Sequence, residues 1–332
     1  MATIARKSDL ELELYAETLA EFNRKNVFME LITKKTISQG KSAQFIVDTD
    51  KDAVQRISAT TGLPLDTTGV GGVDGYVNTH ANGANQRDGA SDIYITERTI
   101  VVERPIFVRK QYNAFEEKVA HYDGRSIITG QVARTMANYL DRRIIVELDQ
   151  ASDAASTDTQ YASSKVYNSA IAGGATAEAK GDALLDAIFA GNAALDGNDQ
   201  IGEERYFVTN NVNYYNLLQS QKAVNRDFNA GDNGSISTGN VFKIGDVTIL
   251  RSNNLADALM PSATGVSGYG QNIAGLLFNK RVIGMVELMG LQTKSWFDDD
   301  YDETVFKAQL AGGWDVLNPG SLCVVTTGTA NA

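Results

Sequence analysis

Only two histidines, His80 and His121, could serve as imidazole bases or metal ligands in this chain. A structural zinc site needs about four Cys or His ligands, and the one cysteine, Cys323, leaves that set incomplete. A Ser-His-Asp triad would have to use one of the two histidines, and no Gly-x-Ser-x-Gly turn accompanies either of them. The sequence therefore predicts no histidine-based catalysis, no zinc site and no intrachain disulfide.

Three short motifs resemble nucleotide or calcium loops but lack the residues that make such loops work. Gly40-Lys41-Ser42 matches the end of a phosphate-binding loop, but the residue five positions before Gly40 is not the required glycine. The segment 48–52 opens like a calcium loop, whose sixth and twelfth positions here are Ala53 and Ala59 instead of Gly and Glu. The glycine-rich segment 69–75 does not fit the dinucleotide motif. We interpret all three as turns or loops and predict no cofactor.

The densest acidic run lies at residues 298–303, where five of six side chains are carboxylates. Such a run could bind a divalent cation or supply the carboxylate pair of a glycoside hydrolase. Neighbouring like charges repel one another, and the same pattern is typical of a solvated turn. We favour the turn; hydrolysis of oligosaccharides that is lost on Asp300→Ala would support the hydrolase instead.

The composition is that of a globular protein with an acidic surface. The chain has 332 residues, 43% of them hydrophobic, and a net charge of −11 from 30 basic and 41 acidic side chains. This length predicts about two domains, and no apolar run approaches the roughly 20 residues that span a bilayer. The first ten residues lack the apolar core of a secretory signal. The negative charge argues against binding to nucleic acid as the main function.

Hydrophobic periodicity predicts four helices. The first covers residues 9–34 and forms an arm whose apolar stripe must pack on its own core or on a neighbouring subunit. The longest covers residues 124–152, and a shorter one covers residues 181–196. The fourth begins at an asparagine cap, Asn210 or Asn211.

Runs rich in β-branched and aromatic residues predict strands on both sides of the longest helix. The predicted strands are 42–47, 92–108, 205–209, a hairpin pair within 241–250, 273–278, 281–286, 287–293, 304–310 and 322–327. No regular strand–helix–strand alternation connects them. The sequence therefore predicts an α+β fold.

The segment 48–91 shows almost no hydrophobic period and is rich in Gly, Asn, Asp and Thr. A structureless loop of this size is uncommon inside a compact domain. Either it is disordered, or it is an arm stabilised by contacts outside its own domain. The long strands on either side favour the arm, because an isolated two-stranded extension is only marginally stable in water.

Five local motifs follow one another in an order that resembles a known family. They are Ile37–Phe45, His121–Ser126, Gly245–Leu255, Phe278–Val286 and Gly312–Pro319. Together with the arm, the extended hairpin and the long helix, they resemble the major capsid protein of tailed double-stranded DNA phages, which has the Hong Kong 97-type fold. The motifs are most similar to those of the short-tailed, T-seven-like phages.

The resemblance implies a Hong Kong 97-like α+β architecture with four parts. These are an N-terminal arm at 1–41, an extended loop at 42–105, a peripheral domain at 106–155 and 256–332 that contains a spine helix at 124–152, and an axial domain at 156–255. The extended loop is expected to lie over a neighbouring subunit.

The function that the resemblance implies is structural and not enzymatic. Subunits would form pentamers and hexamers that close into an icosahedral shell and enclose DNA without sequence-specific binding. A scaffolding protein, a portal protein at one vertex and a decoration protein would be the partners, with no membrane and no cofactor. The protein would reside in the virion, and in the host cytoplasm during assembly. An encapsulin-type nanocompartment that packages enzymes, or a secreted surface-layer protein, are the alternatives.

The candidate interface residues follow from the arm and the extended loop. Apolar side chains of the arm would dock on the shell, and charged side chains of the loop would pair across subunits. The candidates are Leu14, Phe22, Phe28, Asp74, Arg87, Glu97, Arg98, Glu103 and Arg104. Some relatives of this fold join subunits through a loop lysine and an asparagine, but the only lysine between residues 42 and 105 is Lys51, near the loop base. We therefore expect a non-covalent lattice.

Overall fold

The computed structural model of the chain describes residues 15–48, 95–113, 119, 124–153, 162–198, 200, 202–220, 234–235, 240–241, 243–255 and 272–328. The chain divides into two compact units, one formed by Met1–Phe45 with Thr99–Ala332 and the other by Ile46–Arg98. In the second unit, the described residues belong to two paired strands.

The N-terminal helix, α1, covers residues 15–25 of the described chain and is shorter at its end than expected. The Asn26 N–H donates to the Phe22 carbonyl oxygen at 3.0 Å, and the Asn26 side chain accepts from the Met29 N–H at 2.6 Å. This side-chain bond offers the backbone an alternative to further helical turns. The prediction of one helix to residue 34 is therefore wrong, because the chain turns at Asn26 and enters strand β1, Thr33–Thr36.

The strand predicted at 92–108 is two strands with different partners. Strand β2, Ser42–Asp48, pairs with β3, Ile95–Val101, in a two-stranded sheet, whereas β4, Ile106–Asn113, belongs to another sheet. The extended strand is interrupted between them at residues 102–105, where Pro105 has no N–H to donate to a β-sheet hydrogen bond. The prediction of a continuous strand is wrong because the segment changes its hydrogen-bonding partner here.

Strand β4 joins a four-stranded sheet in the order β1-β12-β13-β4, with β12 at Ile283–Asp298 and β13 at Glu303–Val316. The β1–β12 pair is parallel and the other two pairs are antiparallel. The sequence divides β12 into two strands that meet near Glu287. The pairing of β12 with β13 shifts register between Glu287 and Gln292, and this irregularity interrupts the alternating pattern without ending the strand.

A six-stranded sheet has the order β5-β14-β11-β6-β10-β9. Its strands are β5, Ser164–Tyr167; β6, Arg205–Thr209; β9, Lys243–Ile244; β10, Val247–Arg251; β11, Ile273–Asn279; and β14, Leu322–Thr326. Two further short strands, β7 at Gly234–Ser235 and β8 at Asn240–Val241, pair with each other. Strands β11 and β14, predicted in the peripheral domain, thus share one sheet with strands predicted in the axial domain.

The later helices agree with the sequence better than α1 does. Helix α2, Gly124–Asp153, matches the prediction within one residue. A short helix, α3, covers Ala170–Gly173. Helix α4, Ala177–Gly197, starts earlier than expected because the Thr176 side chain accepts from the Ala179 N–H at 3.1 Å. Asn210 is the cap of α5, Asn211–Gln219.

The six-stranded sheet carries a hydrophobic core on each face. Val208, Leu276 and Phe278 belong to the larger core, together with Met136 and Leu140 of α2. The residues next to them in the strands, such as Phe207 and Leu277, belong to a second core with α4 and α5. This alternation is what a sheet buried on both faces requires.

Candidate interaction surfaces

The acidic run forms the turn between β12 and β13. Asp299, Asp300 and Tyr301 are exposed, and the Asp300 N–H donates to the Asp298 carboxylate at 3.3 Å. Among the described residues, no group of three or more His, Cys, Asp or Glu side chains is arranged to hold a metal ion. A solvated turn is therefore the interpretation that fits these residues.

The other residues that the sequence analysis considered for catalysis or ligand binding have structural roles, where the structure describes them. Gly40 has a φ of 105° and forms the turn between β1 and β2, a conformation that suits glycine. Burial raises the pKa of the Cys323 thiol to about 12, so little reactive thiolate exists near neutral pH. His80 and His121 lie outside the described residues. None of the helices in the described ranges has the length and apolar character needed to cross a membrane.

Phe22 and Phe28 lie in the larger core of their own chain. Phe28 is fully buried, and its ring stacks on Phe278 with the centroids 5.9 Å apart. Phe22 is also buried in this core. The expectation that these two side chains dock on a neighbouring subunit is corrected, because the intrachain core already covers their apolar surface.

A buried carboxylate, Asp141 of α2, holds the N-terminal segment in place. It accepts hydrogen bonds from the Val27 N–H at 3.3 Å, the Phe28 N–H at 3.4 Å and the Asn254 side-chain amide at 3.1 Å. The side chain of Asp141 is fully buried, which is rare for aspartate. A signal was present, since residue 141 lies four positions after Ala137 and four before Ile145, both of them core residues.

Desolvation by burial raises the pKa of Asp141 from 3.8 to about 7, although its hydrogen bonds and Arg142 act in the opposite direction. Asn254 also accepts from the Arg142 side chain at 3.3 Å. The Asn-Asn-Leu turn of the sequence, Asn253–Leu255, is thereby attached to α2. Asp141 thus connects three segments that lie more than 100 residues apart in the chain.

The charged residue Glu103 at the base of the extended loop is paired within the chain. The Arg143 guanidinium lies 2.9 Å from Glu103 and 2.7 Å from Glu147, both measured from nitrogen to carboxylate oxygen. Burial raises the pKa of Glu147, and Arg143 opposes this shift. Glu103 thus has a partner on the long helix of its own chain, and because its side chain is still 43% exposed, a further contact across subunits stays a prediction.

The remaining interface candidates stay predictions. Arg104 and Glu97 are exposed, and Arg98 is half-buried. Leu14, Asp74 and Arg87 lie outside the described residues.

Replacing Arg143 by methionine should lower the free energy of unfolding by about 2 kcal/mol, because Glu147 would stay partly buried without a cation. Urea unfolding of the unassembled chain measures this. Arg24→Met is the matched control: Arg24 pairs with Glu21 only 3.3 Å away, but the side chain of Arg24 is 67% exposed, so the loss there should be under about 0.5 kcal/mol. Equal losses in the two variants would contradict the assigned role of Arg143.

Two exposed surfaces were not anticipated from the sequence. On the outer face of the four-stranded sheet, the Arg109 guanidinium lies 5.6 Å from the Trp296 ring centroid, and the Lys307 amine lies 5.0 Å from that of Phe107. On α5, Val212 and Tyr215 are exposed on the side away from the second core. The signal for the first surface was the alternation of Phe107, Arg109 and a glutamine within β4. Exposed aromatic groups of this kind are typical of interaction surfaces.

A comparison with models of known protein families identifies the class of protein to which the chain belongs. The model of the Gp10A-like major capsid proteins matches residues 70–320 of the chain. The chain belongs to this major capsid protein family. No curated protein sequence matches the capsid protein significantly.

Solved structures of capsid proteins are similar to this chain, in agreement with the family match. The capsid protein in the structure of the cyanophage P-SCSP1u capsid is 26% identical, with a TM-score of 0.67 over 92% of this chain and 89% of that chain. The mature capsid of bacteriophage PhiM1 is 15% identical, with a TM-score of 0.61 over 91% and 87% of the two chains. A virus-like particle from Pyrococcus furiosus is 12% identical, with a TM-score of 0.51 over 95% and 99%. The last two show the fold alone.

These findings confirm the main expectations from the sequence. The fold is α+β and of the Hong Kong 97-like capsid type. The protein is a structural component of an icosahedral shell, it assembles with itself, and its place is the virion. A capsid protein exerts its function through its contacts with other subunits, so the exposed surfaces and the anchors of its extended segments are the candidate functional sites.

Proposed function

We propose that this capsid protein assembles through pentamers and hexamers into the shell around the double-stranded DNA of a short-tailed, T-seven-like phage. The observation that carries the proposal is the match to the Gp10A-like major capsid family over residues 70–320. The likeness to the cyanophage P-SCSP1u capsid over 92% of the chain supports it. The chain acts without catalysis and without a cofactor.

The parts of the chain have separate roles in this proposal. Helix α2 is the spine of a peripheral domain formed by 106–155 and 256–332, and residues 156–255 form the axial domain around each capsomer centre. In the arm at 1–41, the described residues Phe22 and Phe28 are anchored in the intrachain core, and the extended loop at 42–105 reaches a neighbouring subunit. Arg104, Glu97 and Arg98 belong to this loop and contribute charged contacts there.

The partners act at different stages. A scaffolding protein guides closure in the host cytoplasm, a portal protein occupies one vertex, and a decoration protein binds the finished shell. The net charge of −11 keeps the DNA from binding tightly to the wall, because like charges repel, and so favours genome release.

Negative-stain imaging of the purified, expressed protein tests the proposal. Closed icosahedral particles, together with pentamers or hexamers as free capsomers, are the expected result. DNA in particles purified from infected cells would distinguish a phage shell from a nanocompartment, which would contain an enzyme. A protein that stays monomeric both alone and with its scaffolding protein would contradict the proposal.

The lattice should be held together without covalent bonds. No lysine lies between residues 52 and 91, so the far part of the loop has no amine that could form an isopeptide bond with an asparagine. Particles that are boiled and reduced should run as one band near 35.8 kDa in denaturing electrophoresis. A ladder of dimers and larger species would show that Lys51 or another lysine does form a cross-link.

A further inference from the structure

Three cations lie side by side across the outer face of the four-stranded sheet. Lys294 of β12 is directly opposite Lys307 of β13, and Lys307 is directly opposite Arg109 of β4. Directly opposite residues of antiparallel strands project from the same face, with their Cβ atoms about 5 Å apart. We call Arg109, Lys294 and Lys307 the basic row.

The three cations of the basic row repel one another in the isolated chain, although Arg109 and Lys307 also contact the rings of Trp296 and Phe107. Like charges directly opposite each other destabilise a sheet, and this chain is acidic overall, with 41 acidic and 30 basic residues. Such a row is consistent with a surface that meets an anionic partner after folding. Phe107 and Trp296 are 61% and 38% exposed although Lys307 and Arg109 lie over their rings, and the remaining aromatic surface is open to the same partner.

The acidic turn at 298–303 is on the same hairpin but does not neutralise the row. Asp298, its nearest residue, is four residues from Lys294, which is about 13 Å along the strand. The Debye length at physiological salt is about 8 Å, so the attraction within one chain is weak. The acidic turn itself places Asp298 directly opposite Glu303 and therefore also needs opposite charge.

The acidic turn also carries an aromatic side chain that could contact the basic row. Tyr301 at its tip is 73% exposed, and Asp299 and Asp300 beside it are exposed too. An aromatic ring flanked by carboxylates matches a surface of cations flanked by aromatic rings in both charge and polarity. One hairpin thus carries both halves of a complementary pair.

We propose that the acidic turn of one copy docks on the basic row of a second copy. Contacts between two different patches of the same molecule are heterologous, and they close into rings when the rotation allows it. A nucleic acid is a poorer occupant of the row, because five carboxylates at the end of the same hairpin would repel its phosphates. The inference rests on the proposed self-assembly and deepens it by assigning one contact between subunits.

Charge reversal tests the contact in the full-length protein. The row-reversed variant carries Lys294→Glu and Lys307→Glu, and the turn-reversed variant carries Asp299→Lys and Asp300→Lys. Each should lower the yield of closed shells about tenfold or more, since the loss is repeated at every copy of the contact. The variant that combines all four substitutions has the wild-type net charge and restored complementarity, and it should recover most of the yield.

Thermal unfolding of the unassembled chains separates assembly from folding. The row-reversed chain should melt near the wild-type temperature. The carboxylates introduced at positions 294 and 307 still repel each other and the contact of Lys307 with the Phe107 ring is lost, but the carboxylate at 307 attracts Arg109. Wild-type yield in both reversed variants would overturn the inference alone. A folded combined variant that still fails to assemble would also overturn it. Absence of shells from the wild-type chain would instead overturn the proposed function, and the inference with it.

Discussion

Replacing Gly313 by alanine should lower the free energy of unfolding by about 3 kcal/mol and prevent normal assembly. A Cβ atom at this position of β13 would lie 2.1 Å from the carbonyl oxygen of Val101 and 3.2 Å from the Cα of Val102. Both obstacles are backbone atoms, which cannot move aside like the end of a flexible side chain. The neighbouring Glu103 N–H donates to the Gly312 carbonyl oxygen at 3.1 Å, so any shift would also break this bond. The base of the extended loop would then leave β13.

Gly130→Ala is the matched control for this prediction. Gly130 lies inside α2, and a Cβ atom there would meet nothing within 4 Å. Alanine should therefore stabilise the chain by about 0.5–1 kcal/mol through its higher helix propensity. Urea unfolding of unassembled chains and imaging of particles measure the two variants. Wild-type stability in Gly313→Ala would show that the loop base can move away from β13 at little cost.

Replacing Asp141 should have the second large effect, and its sign should depend on the substituent. Asp141→Ala removes the acceptor of the Val27 and Phe28 N–H groups and of the Asn254 amide, which should cost about 3 kcal/mol at acidic pH, since each unpaired buried donor is expensive. Asp141→Asn keeps one carbonyl acceptor, but its NH2 group cannot accept the N–H donors that reach the other carboxylate oxygen. The asparagine variant should therefore be less stable than the wild type by about 1 kcal/mol near pH 4, where the native aspartate is protonated.

The free energies of unfolding of the wild type and of Asp141→Asn should then change differently as the pH rises. Burial raises the pKa of native Asp141 from 3.8 to about 7, so the native state retains a proton that the unfolded chain releases near pH 4. Wild-type stability is therefore lost between about pH 4 and pH 7, by on the order of 4 kcal/mol at about 1.4 kcal/mol per pKa unit. The asparagine variant has no such loss at this position. Urea unfolding at pH 4, 6 and 8 measures the difference, and other titrating groups cancel between the two proteins.

Parallel profiles for the wild type and Asp141→Asn would contradict this prediction. They would mean that the three hydrogen bonds to the carboxylate offset its desolvation, so that the native aspartate is ionised throughout. The alanine variant is the control for the loss of the hydrogen bonds themselves. It lacks the acceptor at every pH, so its stability should stay below that of the asparagine variant throughout.

Local sequence signals account for α2 and for the start of α5 in this capsid protein. Helix α2 was predictable nearly to the residue because its apolar spacing is periodic over 30 residues. The cap at Asn210 could be anticipated because a cap acts on the N–H groups two or three residues further along the chain. The same reasoning located most strands, but it could not foresee the break at residues 102–105, where the strand changes its partner.

Pairing between distant segments was decided by the tertiary structure. The basic row exists only because the β12–β13 and β13–β4 registers place Lys294, Lys307 and Arg109 opposite one another. A shift of one residue would send one of these side chains to the other face of the sheet. Strands β11 and β14 likewise join β6 and β5 across more than 60 residues of sequence.

The sequence by itself determined the class of this protein: an acidic, cysteine-poor α+β chain with an arm, an extended loop and a long helix, whose motifs resemble those of phage capsid proteins. Only the tertiary structure decided which polar residues are buried and paired, as for Asp141, and which charges remain exposed, as for the basic row. The physical reason is that periodicity and capping are local properties. Burial and desolvation depend on what a distant segment places over a side chain, and no local pattern contains that information.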